Sequence, residues 1–560
     1  MVKLVYTYAL GAYALRRAGS TPVADTKLSE VRMGKIAKYL NQLTVGNVFD
    51  NPEVLETYAT DCSALKIKPK FVAFPESTSD IQKLLKFFDQ LAKKDIKVAI
   101  TARGAGTSEG GESLTNGIVI STEKLNKLLE IDTRERLVRV QAGITLKELN
   151  TALSVSGLTI PIDGHDEATI GGLISNCPVD AAADKYGGIG KFVERIEVVL
   201  ANGDCLQTDK LRKYAVAKEA AEKTFTGTIY RKISKILHEN KELLEKIGEK
   251  KHVLAGYPMI AKVSKREVLD LKRLFFGAEG TLGIISEVIL KAVPLKEKPF
   301  RVVATFKEIP VALKYTEEIK ALNPCKIDFY DLKIIQEARD SGKNLDGVIR
   351  KLEEGFTVFA VFDEKTSSVM KKFEAIRAKL PRNIKFIFEA PENQIILSEF
   401  ENSLTNYLSY VKKAERVPIL TDFYLPVYHL EGFLRDLKVL EEKTGLELEL
   451  YGSLTTKIFS LRPVFNLEDE DFGKKAAVFL RAGAYIIKRY SGELAGGTPE
   501  GRLKAVVTND EIPEGERRLY EELKEIFDPH GILNPDVKLG ASSKFTLTHF
   551  RDTNSPKIML

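Results

Sequence analysis

With 560 residues the chain is too long for one hydrophobic core, and at about 150 residues per domain it predicts two to four domains rather than a lone binding module. Its 44% hydrophobic, 29% charged and 8% aromatic residues, with 39 Gly and 21 Pro, suit a soluble globular protein and exclude collagen-like, disordered and disulfide-scaffold classes. The net charge is only +6, and no lysine or arginine block stands apart from nearby acids, which argues against a nucleic-acid partner.

The first nineteen residues hold a Tyr-rich apolar run of about a dozen residues before Arg16 and Arg17, too short to span a bilayer. No clean small-residue cleavage site follows it. Asp50, Asn51 and Pro52 then open a short helix ending near Tyr58. From Phe71 the pattern is a strand (FVAF), a turn with Pro75 and Ser77, a helix from about Ser79 to Lys93, and a strand (IKVAIT) running into a glycine-rich loop. That order predicts a β-α-β unit. Short strands and helices continue to about residue 205, with a hairpin signal at Asn202-Gly203. From about 208 to 270 a Lys- and Glu-rich helical pattern reads as a solvated insertion. Strand-like runs resume to Pro294, a domain boundary is expected between Pro294 and Pro299, and helices and strands follow to about 520. The last twenty residues read as a loose tail.

Cys62, Cys177, Cys205 and Cys325 lie far apart with no C-x-x-C pair, so spacing encodes neither a zinc ribbon nor a cysteine-ligated iron–sulfur cluster. No histidines are paired at metal-ligand spacing, and no metal site is assigned. The cysteine usage points to a reducing compartment, hence to the cytoplasm.

Three glycine-rich stretches carry the chemical signal: RGAGTSEGG from Arg103, ATIGGLISN from Ala168 and FGAEGTLGII from Phe276. None fits a nicotinamide fingerprint or a Walker A frame. The first sets an arginine, small residues and hydroxyls after a strand, so that exposed backbone N–H groups can close on a pyrophosphate.

The runs VAITARGAGTS, VRVQAGITLKELN, GLTIP, ATIGG, KYG, VVLANGD and FGAEGTLGIISE, in this order and approximate spacing, resemble the FAD-binding domain of the vanillyl-alcohol oxidase superfamily. The closing IFDPHGILNP (Ile526 to Pro535) is similar to that of its glycolate oxidase subunit and D-lactate dehydrogenase group. The resemblance implies an α+β fold. Residues 45–294 would be a PCMH-type FAD-binding domain of two α/β subdomains, 295–520 a ferredoxin-like antiparallel cap, and 521–540 a short helical segment returning to the FAD domain. Residues 1–44 and 541–560 would be an extension and a tail. It further implies that Arg103, Gly104, Ala105, Gly106, Thr107 and Ser108 wrap the FAD pyrophosphate. Thr169, Ile170, Gly171, Gly172, Ser175 and Asn176 would form a second flavin loop, and Gly280 and Ile285 would approach the adenosine. Thr107 stands where relatives with a covalent flavin have histidine, so FAD is expected without that bond.

The cap departs from the group. Its metal-binding stretches, G-H-x-G-x-G-N-x-H and G-E-H-G, are replaced by YGSLTTKIFSLRP (Tyr451 to Pro463) and LAGGTPEGRLK (Leu494 to Lys504). Ser453 and Ser460 thus stand at the histidine positions, and Gly497 and Thr498 at the Glu-His pair. Serine is a poor divalent-metal ligand at neutral pH. The arginine that usually clamps the substrate carboxylate is missing between Asn383 and Glu415, and Asp180 replaces a usual glycine. The remaining candidates for chemistry are His165, beside the flavin loop, and Arg462, Arg502 and Lys504, which offer positive charge to a carboxylate. Packing and surface charge explain Tyr451, Lys457 and Asp422 equally well, and His429 reads as structural. The expected activity is an FAD-linked dehydrogenase taking two electrons from a small 2-hydroxy acid. They would pass to an unidentified acceptor, whether a quinone, a flavoprotein or an iron–sulfur protein; peripheral membrane contact would suit a quinone. The alternative is an FAD-binding subunit with a decayed redox site that works through a partner.

Overall fold

The computed structural model describes residues 35–551 apart from 297–298, 332, 336–354, 365, 382–383, 389–396, 398–399, 402–403, 405–416, 467–468 and 470. The apolar run before Arg16 lies outside these residues. Among the described residues, no helix is long and apolar enough to cross a membrane.

A four-stranded sheet opens the chain, in the order Asn47–Phe49, Phe71–Phe74, Ile118–Ser121, Ile100–Arg103. The β-α-β rhythm is present, with a helix at Thr78–Ala92 capped by the Ser77 side chain. The two strands flanking that helix are not neighbours, however, because Ile118–Ser121 pairs in parallel with both. The second of these strands starts at Ile100 and ends at Arg103, later than its β-branched run suggests. Leu533 bridges Ile100, so the closing motif returns to this sheet. There Asn534 accepts from Thr101 Oγ1 (2.9 Å) and donates to the carbonyls of Glu112 (2.9 Å) and Glu279 (2.7 Å).

A second sheet of five antiparallel strands follows, in the order Leu128–Asp132, Leu137–Gln141, Ile284–Lys291, Val193–Val199, Cys205–Gln207. The hairpin at its edge turns through Gly203, whose φ of +85° suits glycine. The Lys- and Glu-rich stretch proves largely integral to this core. Helix Phe225–Glu239 buries Ile229, Tyr230, Ile233 and Ile236 in the same apolar cluster as the sheet, together with Leu519 and Leu523 of helix Glu514–Phe527. Of the three α-helices described in that stretch, only Lys213–Ala221 buries nothing. The charged positions mask a stripe at helical spacing, and burial of that stripe outweighs the overall polarity.

The remaining large unit is a seven-stranded antiparallel sheet, ordered Phe386–Phe388, Phe300–Phe306, Phe356–Phe362, Lys326–Tyr330, Leu448–Ser453, Ile458–Pro463, Leu420–Tyr424. Helices Ile309–Lys320, Thr366–Arg377, Leu430–Thr444 and Phe472–Arg489 bury their apolar faces with it in one core. The strands' two-residue side-chain period sends Ile327, Phe329, Phe459 and Leu461 into that core. Their alternates Lys326, Asp328, Tyr330, Ser460 and Arg462 face away from it, onto a cavity. The fold is α+β, as the sequence implies. The stretch read as a loose tail carries a helix at Ser543–Leu547, and beyond it the Arg551 N–H donates to the Ala64 carbonyl at 3.0 Å.

Candidate functional site

One cavity of about 1200 Å³ separates the glycine loops from the exposed face of the seven-stranded sheet. Its first wall holds Arg103 to Ser108, Thr169, Gly171, Gly172, Ser175, Asn176, Gly280 and Ile285. Ile170 is the expected loop residue that does not face it; its side chain is fully buried in the apolar core.

Two of these glycines exist for close approach between the loops. A Cβ on Gly104 would sit 2.1 Å from Thr169 Oγ1, and one on Gly171 would sit 2.8 Å from Ala142 Cβ. The first two loops are therefore packed against each other, not merely aimed at a ligand. Gly106 is buried at a φ of +75° and Gly280 holds +70°, a region that side chains rarely occupy. The Arg103 side chain points back: its Nη1 donates to the Thr60 carbonyl at 2.7 Å, and its guanidinium lies over the Tyr58 ring. Among the described residues, the backbone N–H groups of Gly104, Ala105, Gly106, Thr107 and Ser108 have no partner within the chain. All but Ala105 are buried or half-buried, where an unpaired N–H is costly, and the five in succession form a donor set that fits the phosphate oxygens of FAD.

The opposite wall is built from side chains. Arg462, 4% exposed, is ion-paired with Glu109 and donates from Nε to the Tyr451 hydroxyl at 3.2 Å. Burial raises the Glu109 carboxyl despite this cation, and burial likewise pushes the Tyr451 phenol up to about 12. Lys504, 3% exposed, donates to the Thr498 Oγ1 (2.9 Å), the Thr498 carbonyl (3.0 Å) and the Thr421 carbonyl (3.3 Å). All three are neutral oxygens, and among the described residues no carboxylate lies within ion-pair distance. Burial accordingly lowers its ammonium. Ser460 and Thr498 converge on Asp422: Ser460 Oγ donates to its Oδ1 and Thr498 Oγ1 to its Oδ2, each at 3.2 Å.

His165 lines the cavity from the glycine-loop side, half-buried, with burial lowering its imidazole. Arg502 does not reach the cavity lining. It clamps backbone instead, donating to the carbonyls of Leu114 (2.8 Å) and Pro535 (2.9 Å). This corrects the expectation that it meets a substrate: its buried guanidinium is consumed in joining the closing motif to the loop that precedes strand Ile118–Ser121.

Sequence reasoning missed Glu109, Lys326 and Asp328. Lys326 bonds Asp163 (2.8 Å), Glu401 (3.0 Å) and Asp328 (3.2 Å), tying the sheet to the loop before His165. Burial, opposed by Lys326, lifts the Asp328 carboxyl to about 7. The signal was present as polar residues at alternate positions of an otherwise apolar strand, Lys326-Ile327-Asp328-Phe329. Asp180, 4% exposed, is raised to about 7 by burial and by Asp163.

Comparison with known proteins agrees with this architecture. The family of FAD binding domains matches residues 69–209, and that of the C-terminal domains of FAD-linked oxidases matches residues 297–537. A D-2-hydroxyglutarate dehydrogenase of Pseudomonas putida is 26% identical over 85% of this chain and 49% of its own length. The chain thus spans about half the length of that relative. A D-lactate dehydrogenase of Anaerostipes hadrus is 22% identical over 92% of this chain and 98% of its own. The crystal structure of p-cresol methylhydroxylase with substrate bound superposes with a TM-score of 0.65 at 13% identity, covering 90% of this chain and 96% of that one, a likeness of fold. Two domains in succession, an FAD binding domain at residues 69–209 and a C-terminal domain of FAD-linked oxidases at residues 297–537, thus account for most of the chain, and the unpaired N–H groups lie in the first of them, where a pyrophosphate would be held.

Proposed function

We propose that the chain is an FAD-dependent dehydrogenase that oxidises a small 2-hydroxy acid, with D-lactate, glycolate and D-2-hydroxyglutarate as the substrates to test. The observation that carries this reading is the pairing of walls: unpaired backbone donors on one side, and two buried cations, Arg462 and Lys504, on the other. FAD, when bound, supplies the two-electron acceptor. Gly104 to Ser108 hold its pyrophosphate through their N–H groups, while Thr169, Gly171, Gly172, Ser175, Asn176, Gly280 and Ile285 shape the rest of that wall. Arg462, kept rigid by Glu109 and Tyr451, orients the substrate carboxylate, and Lys504 adds positive charge without a counter-ion of its own. Tyr451 stays protonated at neutral pH, so it holds position rather than receiving a proton.

The test is an absorption spectrum of the purified, flavin-loaded protein without oxygen, before and after each acid. Bleaching of the flavin band by one acid is expected and would name the substrate. A band that persists with every acid would favour the second reading, an FAD-binding subunit acting through a partner, which the replaced Ser453, Ser460 and Thr498 positions motivate.

A further inference from the structure

Strand Leu420–Tyr424 is irregular at one point. Leu420 pairs with Leu461 and Phe423 with Phe459, so Thr421 and Asp422 together oppose Ser460 alone. This is a β-bulge, and it decides where Asp422 points. Leu420 and Phe423 both lie in the apolar core, and strict alternation from Leu420 would send Asp422 there too. The extra residue brings Thr421 and Asp422 both to the cavity. Asp422 accepts a left-handed φ of +53° to do so, a conformation that costs a non-glycine residue free energy and persists only where its surroundings fix it.

Those surroundings fix every polar group of the residue. Its carbonyl accepts from Gly497 N at 2.7 Å, and its N–H donates to Ser460 Oγ at 2.9 Å. Gly497 must be glycine here, since a Cβ would lie 2.4 Å from Ile458 Cγ2 and 2.8 Å from the Asp422 carbonyl oxygen. On the side chain, Ser460 and Thr498 each donate to one carboxylate oxygen, and the Thr498 hydroxyl itself receives a hydrogen bond from Lys504. The donors all run toward Asp422, which leaves it an acceptor with further lone pairs beside the cavity.

We propose that Asp422 is the proton acceptor of the reaction, held by the bulge and oriented by Ser460 and by a Lys504–Thr498 relay. The inference rests on the dehydrogenase reading above. The substrate O–H bond breaks and its proton goes to Asp422, while the hydrogen on the same carbon leaves with its electron pair to the two-electron acceptor, and a carbonyl forms. His165 faces the same space but has no hydrogen-bond partner for its ring among the described residues, so nothing fixes its tautomer or orientation. Glu109 is committed to Arg462, and Tyr451 holds its proton. The charged groups that sense Asp422 are therefore Lys504 behind it, the Arg462–Glu109 pair beside it and His165 across the cavity.

The experiment compares the flavin-loaded parent with Asp422→Asn and His165→Gln. Anaerobic stopped-flow reduction should slow by about 10²–10⁴-fold in Asp422→Asn, with loss of the acid limb of the pH profile, while His165→Gln keeps that limb. Calorimetry with oxalate in two buffers of different ionisation heat supplies a reading without turnover. An anion placed beside an ionised carboxylate raises that group's proton affinity, so the parent should take up protons on binding oxalate and Asp422→Asn should not. The double variant Ser460→Ala, Thr498→Val keeps the acid but removes its donors, and should move the acid limb to higher pH. Parental reduction rates and proton uptake in Asp422→Asn would overturn the proposal. A parent whose flavin no hydroxy acid bleaches, but whose oxalate-linked uptake still vanishes in Asp422→Asn, would sink the dehydrogenase reading and leave Asp422 as the acid-sensing group. Absence of oxalate binding by the parent would count against both.

Discussion

The two walls of the cavity are made by different means. The glycine-loop wall presents backbone: its donors are N–H groups, and its side chains are kept small or turned away, as with Gly104, Gly106 and Arg103. The sheet wall presents side chains at alternate strand positions, and its character depends on which of them carry charge. A backbone site tolerates little sequence change because a Cβ collides or a φ becomes strained. A side-chain site can be rewritten without disturbing the sheet that bears it, and here Ser460 and Thr498 meet Asp422 beside strands whose pairing is set by their backbone. The two walls thus differ in how freely their sequence can change.

The largest expected effect breaks the link between the walls. Replacing Lys326 by Met leaves Asp163, Asp328 and Glu401 without their shared cation, and removing one partner from a buried charge cluster costs about 3–5 kcal/mol. Denaturant unfolding should show that loss, and an unchanged midpoint would mean the walls are held by apolar packing alone. Next, Gly104→Val should weaken FAD binding by about 100-fold, or about 2.7 kcal/mol, because its side chain enters the space of Thr169 Oγ1. The flavin-to-protein absorbance ratio reads this directly. The same ratio should not move in Arg462→Met, which acts on the other wall; its KM for the hydroxy acid should rise by about 10–100-fold. A variant that loses flavin there would erase the distinction between the walls.

The smallest effect concerns Asp180. Its folded-state pKa of about 7 lies above its ordinary value of 3.8, so the stability it contributes is complete below the ordinary value and is lost as pH rises through about 7. Its Oδ2 is buried without a partner, while Oδ1 accepts from Ala182 N at 3.0 Å. Asp180→Asn mimics the neutral form. It should raise Tm by a few degrees at pH 8 and by almost nothing at pH 4, as scanning calorimetry at the two pH values would show. An equal shift at both would place the cost of Asp180 in packing rather than charge.

Much of this molecule can be read from the sequence by itself. The glycine loops, the helix after Phe71–Phe74 and the hairpin at Gly203 follow from local rules: turns need glycine, and helices and strands repeat at their own short periods. Those rules act over a few residues, and so they are legible. What only the tertiary structure decided is everything that depends on partners distant in the chain. Arg502 and Lys504 are two residues apart in one motif, yet the first is spent on the backbone carbonyls of Leu114 and Pro535 while the second faces the cavity. The stripe of helix Phe225–Glu239 is core because Leu519 and Leu523 meet it. Asp422 looks like surface charge in the sequence, and one unpaired residue in a sheet ladder turns it into the cavity with Ser460, Thr498 and Lys504 arranged behind it. Register and long-range pairing set the side-chain wall, and neither is written in any short stretch of the chain.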